Sequence, residues 1–331
     1  MLHDGRWVEK SFIPSTESGE FERVESRFRG WLEGSPGTDG ERVWPVDPHR
    51  YRLYVALACP WAHRTLMVRA LYGIEEVLPV AVVAPDMMED GWVFDAAHPD
   101  PFEHHAMLRE LYLQADPRCT GRVTVPVLWD SVDKTIVNNE SSEIIRMLAG
   151  PMSRLGRPDA PLAGYPLRPL HLVEALDEMN ERVYHAVNNG VYRAGFAGTQ
   201  AAYDRAVHQL FDVLDGLEAR LKDHRWLVGN RFTEADLRLF PTLVRFDAVY
   251  HCHFKCNRRM LRDYPALFGW TRDVYQLPGV PETIDFPEIR RHYFYSHRGI
   301  NPRGLIPVGE AIDFSAPAGR SRLGPSPLER K

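Results

Sequence analysis

A cysteine followed by a proline, at the point where an apolar strand passes into a helix, constrains this chain of 331 residues more than any other feature. The run YRLYVAL, which begins at Tyr51, predicts a buried strand, and CPWAHRTLMVRALYG predicts a helix that ends at Gly73. The next run, VLPVAVVA, predicts a second strand. Together the three segments predict a β-α-β unit, the start of an α/β domain.

The rest of the first half predicts two further strands and a helix. RVTVPVLWD (122–130) and TIVNN (135–139) are short runs typical of strands, and ESSEIIRML (140–148) has helical spacing. Residues 1–50 scatter Gly, Pro and Ser between aromatic residues, which indicates a lead-in arm packed on the core. We therefore expect an arm at 1–50 and an α/β domain at 51–150.

The second half predicts helices almost throughout. Residues 151–168 are rich in proline and glycine and lack periodicity, as an interdomain linker does. Beyond them, apolar residues recur at spacings of three and four over 169–309, which predicts an all-helical domain. The last segment, 310–331, is rich in Pro, Ser and Arg, and we expect it to be a mobile tail.

Composition excludes several classes of protein and of partner. Apolar residues make up 44% and charged residues 26%, as in ordinary globular chains. The net charge of −5, with no long basic run, argues against nucleic acid or anionic lipid as a partner. The apolar stretches are too short to span a membrane, and the N-terminus lacks the apolar segment of a secretory signal. With four cysteines, we expect a cytoplasmic protein in a reducing compartment.

Cys59 is the candidate nucleophile. Pro60 is favoured as the first residue of a helix, so Cys59 is expected at the N-cap, where the helix dipole and the N–H groups of Trp61 and Ala62 favour a thiolate. The alternative is a buried structural cysteine. Ala62 stands where a dithiol motif has its second cysteine, so an external thiol must resolve a mixed disulfide at Cys59. Glutathione is the obvious candidate.

Two further motifs suggest where a thiol peptide would bind. Pro126 lies within a strand-like run, which predicts a cis bond after Val125 that exposes the Val125 backbone to an extended peptide, or else a simple edge strand. Glu140 and Ser141 stand at a helix start, where they can receive the amino and carboxylate ends of an amino acid. On spacing alone, Ser141 has the alternative role of a helix cap.

These motifs, in this order, resemble the glutathione transferase fold, a thioredoxin-like N-terminal domain joined to an all-α C-terminal domain. More closely, the chain resembles the glutathionyl-hydroquinone reductases, the Xi class of that superfamily. The resemblance covers nearly the whole chain from about residue 19. It is carried by SGEFERVESRFRGW, LYVALACPWAHRTL, EDGWVF, LYLQADPRCTGRVTVPVLWD, TIVNNESSEIIRML, NNGVYRAGFA, TEADLRLFPTLVRFDAVY, FKCN and HYFYSHRGINP.

The resemblance implies a role for each residue that matches a family motif. Cys59 is implied as the catalytic nucleophile, and tyrosines are implied around a hydroquinone ring, two of them (Tyr192 and Tyr293) also as catalytic groups. The implied glutathione-binding residues are Trp92, Arg122, Val125, Glu140 and Ser141, and the implied ring-binding residues are Tyr192, Tyr250 and Tyr293.

The implied activity is the glutathione-dependent removal of glutathione from glutathionyl-hydroquinones through a Cys59 mixed disulfide, which releases hydroquinone and glutathione disulfide. Glutathione is the co-substrate, the substrate is a small molecule, and we expect a homodimer without a metal. Cys252 and Cys256, flanked by histidines, are a weak zinc signal. Thr233 to Asp236 predicts a capping box with a role in folding.

Three alternatives remain open from the sequence. An omega-like thioltransferase or dehydroascorbate reductase would use the same monothiol cysteine and would need no aromatic ring site. Another low-molecular-weight thiol could replace glutathione. A binding or structural protein could keep the fold without catalysis.

Overall fold

The computed structural model describes residues 1–9, 16–35, 42–309 and 311–329. Residue contacts divide the chain into two compact units. In the described residues, the first unit comprises 1–9, 24–35, 42–164 and 282–296, and the second comprises 16–23, 165–281, 297–309 and 311–329.

The described residues form short strands and mostly short helices. The strands are β1 (Leu2–His3), β2 (Arg6–Trp7), β3 (Trp31–Leu32), β4 (Val43–Trp44), β5 (Tyr51–Val55), β6 (Val80–Val82), β7 (Val127–Asp130) and β8 (Thr135–Asn138). The α-helices are α1 (Pro60–Leu71), α2 (Leu108–Ala115), α3 (Ser141–Ala149), α4 (Val173–Val183), α5 (Gly190–Gly195), α6 (Gln200–Leu221), α7 (Glu234–Val244), α8 (His251–His253), α9 (Pro265–Tyr275) and α10 (Phe286–Arg291).

The first unit is built on a four-stranded sheet in the order β6-β5-β7-β8. Strands β5 and β6 are parallel and joined through α1, whereas β7 is antiparallel to both β5 and β8. Helices α1 and α3 pack against each other. This arrangement confirms the predicted thioredoxin-like α/β domain, with the start of α1 following one central strand of the sheet.

The strands are shorter than the apolar runs that predicted them, and proline sets two of the limits. β6 begins after Pro79, whose carbonyl oxygen accepts the N–H of Leu53 at 3.0 Å. β7 begins after Pro126, and the Val125–Pro126 peptide bond is cis, as predicted. Because proline has no N–H to give to a ladder, it lies at a strand boundary and not inside the strand.

The second unit is helical, and its described residues contain no strand, which confirms the predicted all-α half. Its longest helix, α6, starts where the Thr199 side chain accepts the N–H of Ala202 at 3.3 Å. The buried positions Leu210, Leu214 and Leu217 of α6 follow helical spacing, so one apolar stripe faces the core.

The unit boundaries differ from the predicted domain limits. The first unit gives way to the second after Gly164, inside the predicted linker at 151–168. Residues 282–296 belong to the first unit, so the predicted helical domain at 169–309 is divided between the two units. Within the predicted arm at 1–50, residues 16–23 belong to the second unit. Periodicity reveals which segments are helical but not the core against which they pack.

The predicted mobile tail at 310–331 is a packed segment in its described part. Phe314 is 2% exposed and Arg320 is 5% exposed. The Arg320 guanidinium donates to the backbone carbonyls of His224 and Ala266, at 2.6 and 3.2 Å. Composition suggested a free tail, whereas these buried side chains show that the described part of the segment is packed.

Candidate active site

Cys59 occupies the position that the sequence predicted, at the N-cap of α1 before Pro60. Its carbonyl oxygen accepts the N–H of His63 at 2.9 Å, and its side chain is half-buried. The thiol donates to the carbonyl oxygen of Val125, with 3.6 Å between Sγ and that oxygen. No cap hydrogen bond joins Sγ to the first-turn N–H groups. In this rotamer the thiol turns toward Val125.

The phenol of Tyr112 supports the segment that carries Val125. Its hydroxyl donates to the carbonyl oxygen of Thr124 at 2.8 Å and accepts the N–H of Thr124 at 3.2 Å. The same oxygen accepts a hydrogen bond from the Asn139 amide at 3.1 Å. Burial raises the pKa of Tyr112, so the phenol stays neutral and can donate. Tyr112 thus connects the residues just before Val125 and Glu140.

Glu140 is the N-cap of α3, and its carboxylate is held by neighbouring donors. It accepts the N–H and the hydroxyl of Ser142, at 3.0 and 2.9 Å, and the hydroxyl of Ser26 at 3.0 Å. Burial alone would raise the pKa of Glu140, but these hydrogen bonds and the positive charge of Arg64 hold the pKa below its ordinary value. Glu140 is therefore a carboxylate at neutral pH, suited to an ammonium group.

Ser141, the first residue of α3, is 3% exposed. Its hydroxyl is 3.3 Å from a guanidinium nitrogen of Arg64, a residue of α1. A polar contact thus connects α1 and α3 close to the N-termini of both helices.

Arg122 lines a cavity of about 270 Å³ in the first unit. Thr124, Asn139 and Ser26 also line it, and these residues adjoin or bind Val125 and Glu140. Arg122 therefore lies in one cavity with residues that adjoin Val125 and Glu140, and residues of the arm line the same cavity.

Trp92 is buried in the first unit, with 7% of its surface exposed. Its ring stacks on His292, with 4.8 Å between centroids and 19° between planes. The distance between His292 Nδ1 and the carbonyl oxygen of Pro85 is 2.9 Å. The next residue, Tyr293, is 1% exposed. Trp92 and Tyr293 thus belong to one packed region of the first unit.

Tyr192 and Tyr250 belong to the second unit and lie together there, with 6.1 Å between ring centroids. Tyr250 is fully buried and stacks on Phe254 at 5.5 Å, whereas Tyr192 is only half-buried. Phe21 of the arm stacks on Tyr192 at 6.4 Å. The structure therefore brings two of the three predicted ring tyrosines together and places Tyr293 in the other unit.

Each of the three tyrosines is associated with a π-helical segment. Tyr250 ends the segment Phe246–Tyr250, Tyr293 lies in His292–Ser296, and Tyr192 follows Tyr184–Asn188. Segments of this kind are rare in proteins, and those that occur often lie at functional sites.

The remaining candidates lie in the second unit. The capping box at Thr233 and Asp236 is present, with the N–H of Thr233 donating to the Asp236 carboxylate at 3.0 Å. Cys252 and Cys256 are free cysteines. In the part of the chain that the structure describes, no group of three or more His, Cys, Asp or Glu residues could hold a metal ion. No helix among those residues is long and apolar enough to cross a membrane.

Three contributors to the thiol site were missed from the sequence: Ser26, Arg64 and Tyr112. Each lies in a stretch that carries the family resemblance, but none shows a local pattern. Ser26 and Glu140 are 114 positions apart, so only the folded chain reveals their contact. The arm has no regular periodicity, so its resemblance to the family's sequences was the one signal that could have indicated a role for Ser26.

Comparison with known proteins agrees with this architecture. The family model "Glutathione S-transferase, N-terminal domain" matches residues 58–150, and "Glutathione S-transferase, C-terminal domain" matches residues 200–273. The chain is 49% identical over 325 residues to glutathionyl-hydroquinone reductase YqjG of Escherichia coli, which covers 96% of this chain and 98% of the relative. A solved structure of that relative with bound glutathione has a TM-score of 0.86 and 47% identity, over 96% of this chain and 98% of the other.

Two further relatives agree. Glutathionyl-hydroquinone reductase PcpF of Sphingobium chlorophenolicum is 47% identical over 314 residues, 94% of this chain and 96% of the relative. A Xi-class glutathione transferase of Natrialba magadii has a TM-score of 0.87 at 40% identity, over 98% of this chain and 97% of the other. The chain therefore belongs to the glutathione S-transferase family. Within that family it is a member of the Xi-class group of glutathionyl-hydroquinone reductases.

Proposed function

We propose that this protein is a glutathione-dependent reductase that removes glutathione from glutathionyl-hydroquinones through a mixed disulfide at Cys59. One observation carries the proposal: the Cys59 thiol lies at a helix N-terminus and contacts the carbonyl of Val125, next to the cis proline. A thiol peptide bound along Val125 as an added strand would bring its own sulfur to this thiol.

Glutathione is assigned to the first unit. The ionised Glu140 receives the ammonium group of its glutamyl end, and the N-terminus of α3 at Ser141 receives the neighbouring carboxylate. The backbone of Val125 pairs with the peptide, and Arg122 supplies a positive charge for the second carboxylate. Trp92 supports this side through its packing.

The reaction that we assign balances in two steps. The Cys59 thiolate attacks the glutathionyl sulfur of the adduct in its keto form, a sulfur–sulfur bond forms, and the carbon–sulfur bond breaks. The electron pair of the broken bond passes to the ring, which takes up a proton and leaves as hydroquinone. A second glutathione thiolate then attacks the mixed disulfide, which releases glutathione disulfide and restores Cys59.

The ring tyrosines are assigned to the proton and charge transfers on the hydroquinone. Carbon is a poorer leaving atom than sulfur, so this step needs a proton and a stabilised negative charge. Phenols are suitable donors, and general-acid help is typically worth about 10²–10⁴-fold in rate. Tyr192 and Tyr293 are the proposed donors, and Tyr250 is the proposed packing surface for the ring.

We further propose that the thiol is glutathione, that the protein is a cytoplasmic homodimer, and that no metal takes part. The four cysteines are free, which suits a reducing compartment. The half-buried Cys59 is the accessible thiol of the assigned site.

The experiment that tests the function compares two substrates. The wild-type protein should turn over both a glutathionyl-hydroquinone and the mixed disulfide of glutathione with mercaptoethanol. Cys59→Ser should abolish both activities, because a serine hydroxyl is not ionised at neutral pH. Tyr192→Phe and Tyr293→Phe should lower kcat/KM on the hydroquinone adduct by roughly 10- to 10³-fold, since one donor to a developing charge is lost.

The mixed disulfide is the internal control, because its leaving sulfur needs little acid help. The tyrosine variants should change that activity far less. Equal losses on both substrates would contradict the ring assignment, and a wild-type protein active only on the disulfide would make it an omega-like thioltransferase.

A further inference from the structure

We infer that two residues of the N-terminal arm position residues that we have assigned to the reaction. Arg23 positions Tyr192, and Ser26 positions Glu140. The inference rests on the proposed function and deepens it, because it gives roles to two residues that lie outside both matched transferase domains. The two contacts lie in different units and three positions apart in the sequence.

Arg23 engages the helix that carries Tyr192. Its guanidinium carbon lies 5.0 Å from the centroid of the Tyr192 ring. Its Nε donates to the side-chain oxygen of Asn189 at 2.9 Å, and Asn189 is the N-cap of α5. The arginine is therefore held by the start of the same short helix in which Tyr192 is the third residue.

The position of this charge has a chemical consequence. A cation near the face of a phenol ring is attracted to it and stabilises negative charge that develops on the ring and its oxygen. When Tyr192 gives a proton to the substrate, the Arg23 guanidinium favours the product of that transfer. Phe21 packs against the same ring and against Phe196, at 6.4 and 5.4 Å, and limits its movement.

Ser26 acts on the glutathione side. Its hydroxyl is 3.0 Å from Glu140 Oε2 and 3.3 Å from the backbone oxygen of Asn139. A hydroxyl has one proton to donate, and the charged, nearer carboxylate is the stronger acceptor. Ser142 binds the other carboxylate oxygen, so the two hydroxyls together fix the orientation of the Glu140 carboxylate.

The arm is held next to Ser26 by backbone pairing, as an extra edge segment. The N–H of Asn139 donates to the carbonyl oxygen of Phe28 at 3.0 Å, and the N–H of Gly30 donates to the carbonyl oxygen of Val137 at 2.9 Å. Ser26 is thus positioned by the sheet of the first unit and not by a free chain end.

The test uses the full-length protein with paired variants. Arg23→Gln should lower kcat/KM for a glutathionyl-hydroquinone by roughly 3- to 30-fold, the range of a cation–π contact, and leave the mixed-disulfide activity unchanged. Arg23→Lys keeps the charge and should restore most of the loss. Ser26→Ala should raise KM for glutathione by roughly 3- to 10-fold with both substrates, and Ser26→Thr should restore it.

The matched control is Glu20→Gln, which removes the ion pair of the arm with Arg205 at 2.7 Å without touching either subsite. It should change neither activity. The inference is overturned if Glu20→Gln reproduces the losses, or if Arg23→Gln lowers both activities equally, because the arm would then only support the fold.

Glutathione binding measured by calorimetry separates this inference from the proposed function. Ser26→Ala should weaken glutathione binding in that measurement by the same factor as KM, and unchanged binding would overturn the Ser26 part. A wild-type protein that binds glutathione but is inactive on the hydroquinone adduct would overturn the proposed function and the Arg23 part together.

Discussion

At the scale of single residues, the candidate site around Cys59, Val125 and Glu140 is supported by side chains that contact its neighbouring residues. Tyr112 is the clearest case, because its hydroxyl makes three hydrogen bonds to Thr124 and Asn139. Neither its position in α2 nor the spacing around it indicates this role. The role of Tyr112 becomes visible only in the folded chain, where the segments that carry Tyr112, Thr124 and Asn139 come together.

Tyr112→Phe should therefore weaken both the fold and glutathione binding. One buried and two part-buried polar groups would lose their partner, at a cost of about 1–3 kcal/mol for an unsatisfied buried group. We expect a lower free energy of unfolding in urea and a higher KM for glutathione with kcat nearly unchanged. Tyr203→Phe removes the single hydrogen bond of Tyr203 to the carbonyl oxygen of Lys255, and is the matched control. An unchanged KM in Tyr112→Phe would contradict the role of Tyr112.

At the scale of elements, the local sequence predicts where some helices start, but it does not predict the π-helical segments. Thr199 and Thr233 are caps that can be read from the sequence, and α6 begins directly after its cap. The segment Phe246–Tyr250 has the same apolar spacing as the helix before it. One extra residue in a turn shifts the faces of a helix, and nothing in the apolar spacing of this segment indicates that shift.

The start of α7 should give a measurable pH dependence. Burial raises the pKa of Asp236 to about 6 from 3.8, against the hydrogen bonds from Leu227, Trp270 and Thr233 that lower it. The folded-state pKa is raised, so the contribution of Asp236 to stability is present below about pH 4 and is lost as the pH rises through 6. By linkage, the loss at neutral pH is about 3 kcal/mol.

The measurement is the difference in Tm between the wild type and Asp236→Asn from pH 4 to pH 7. Asparagine cannot ionise, so the wild type should lose stability relative to the variant as the pH rises. Asp313→Asn is the control that should show little change over this range, since hydrogen bonds from Ser315 lower the pKa of Asp313 and its carboxyl is ionised above pH 4. A constant difference for Asp236→Asn would show that its carboxyl titrates alike in the folded and unfolded states.

At the scale of the whole molecule, segments distant in sequence complete each unit. Residues 282–296 return to the first unit, and the segment after 311 packs on the second. Phe314 lies against Phe268 and Tyr275, with centroids 5.8 and 5.5 Å apart, and Trp226 donates to the carbonyl oxygen of Pro325 at 3.0 Å. The C-terminal segment is thus part of the helical core.

Phe314→Ala should consequently destabilise the second unit. A buried phenylalanine replaced by alanine costs about 3–5 kcal/mol. Urea unfolding and limited proteolysis should both show the loss. Val308→Ala is the control in a nearby segment, because Val308 is fully exposed, and it should leave stability unchanged. Equal stability of the two variants would mean that the segment is a mobile tail after all.

The sequence by itself determined what depends on neighbours along the chain. Cys59 before Pro60, the β-α-β unit and the helix caps depend on residues a few positions apart, so pattern was sufficient for the fold class and for the place of Cys59 at the start of α1. Tertiary structure decided which core the segment 282–296 joins and that Ser26 binds Glu140. Those contacts are set by burial and by hydrogen-bond partners more than a hundred positions apart, and such partners leave no periodicity in the sequence.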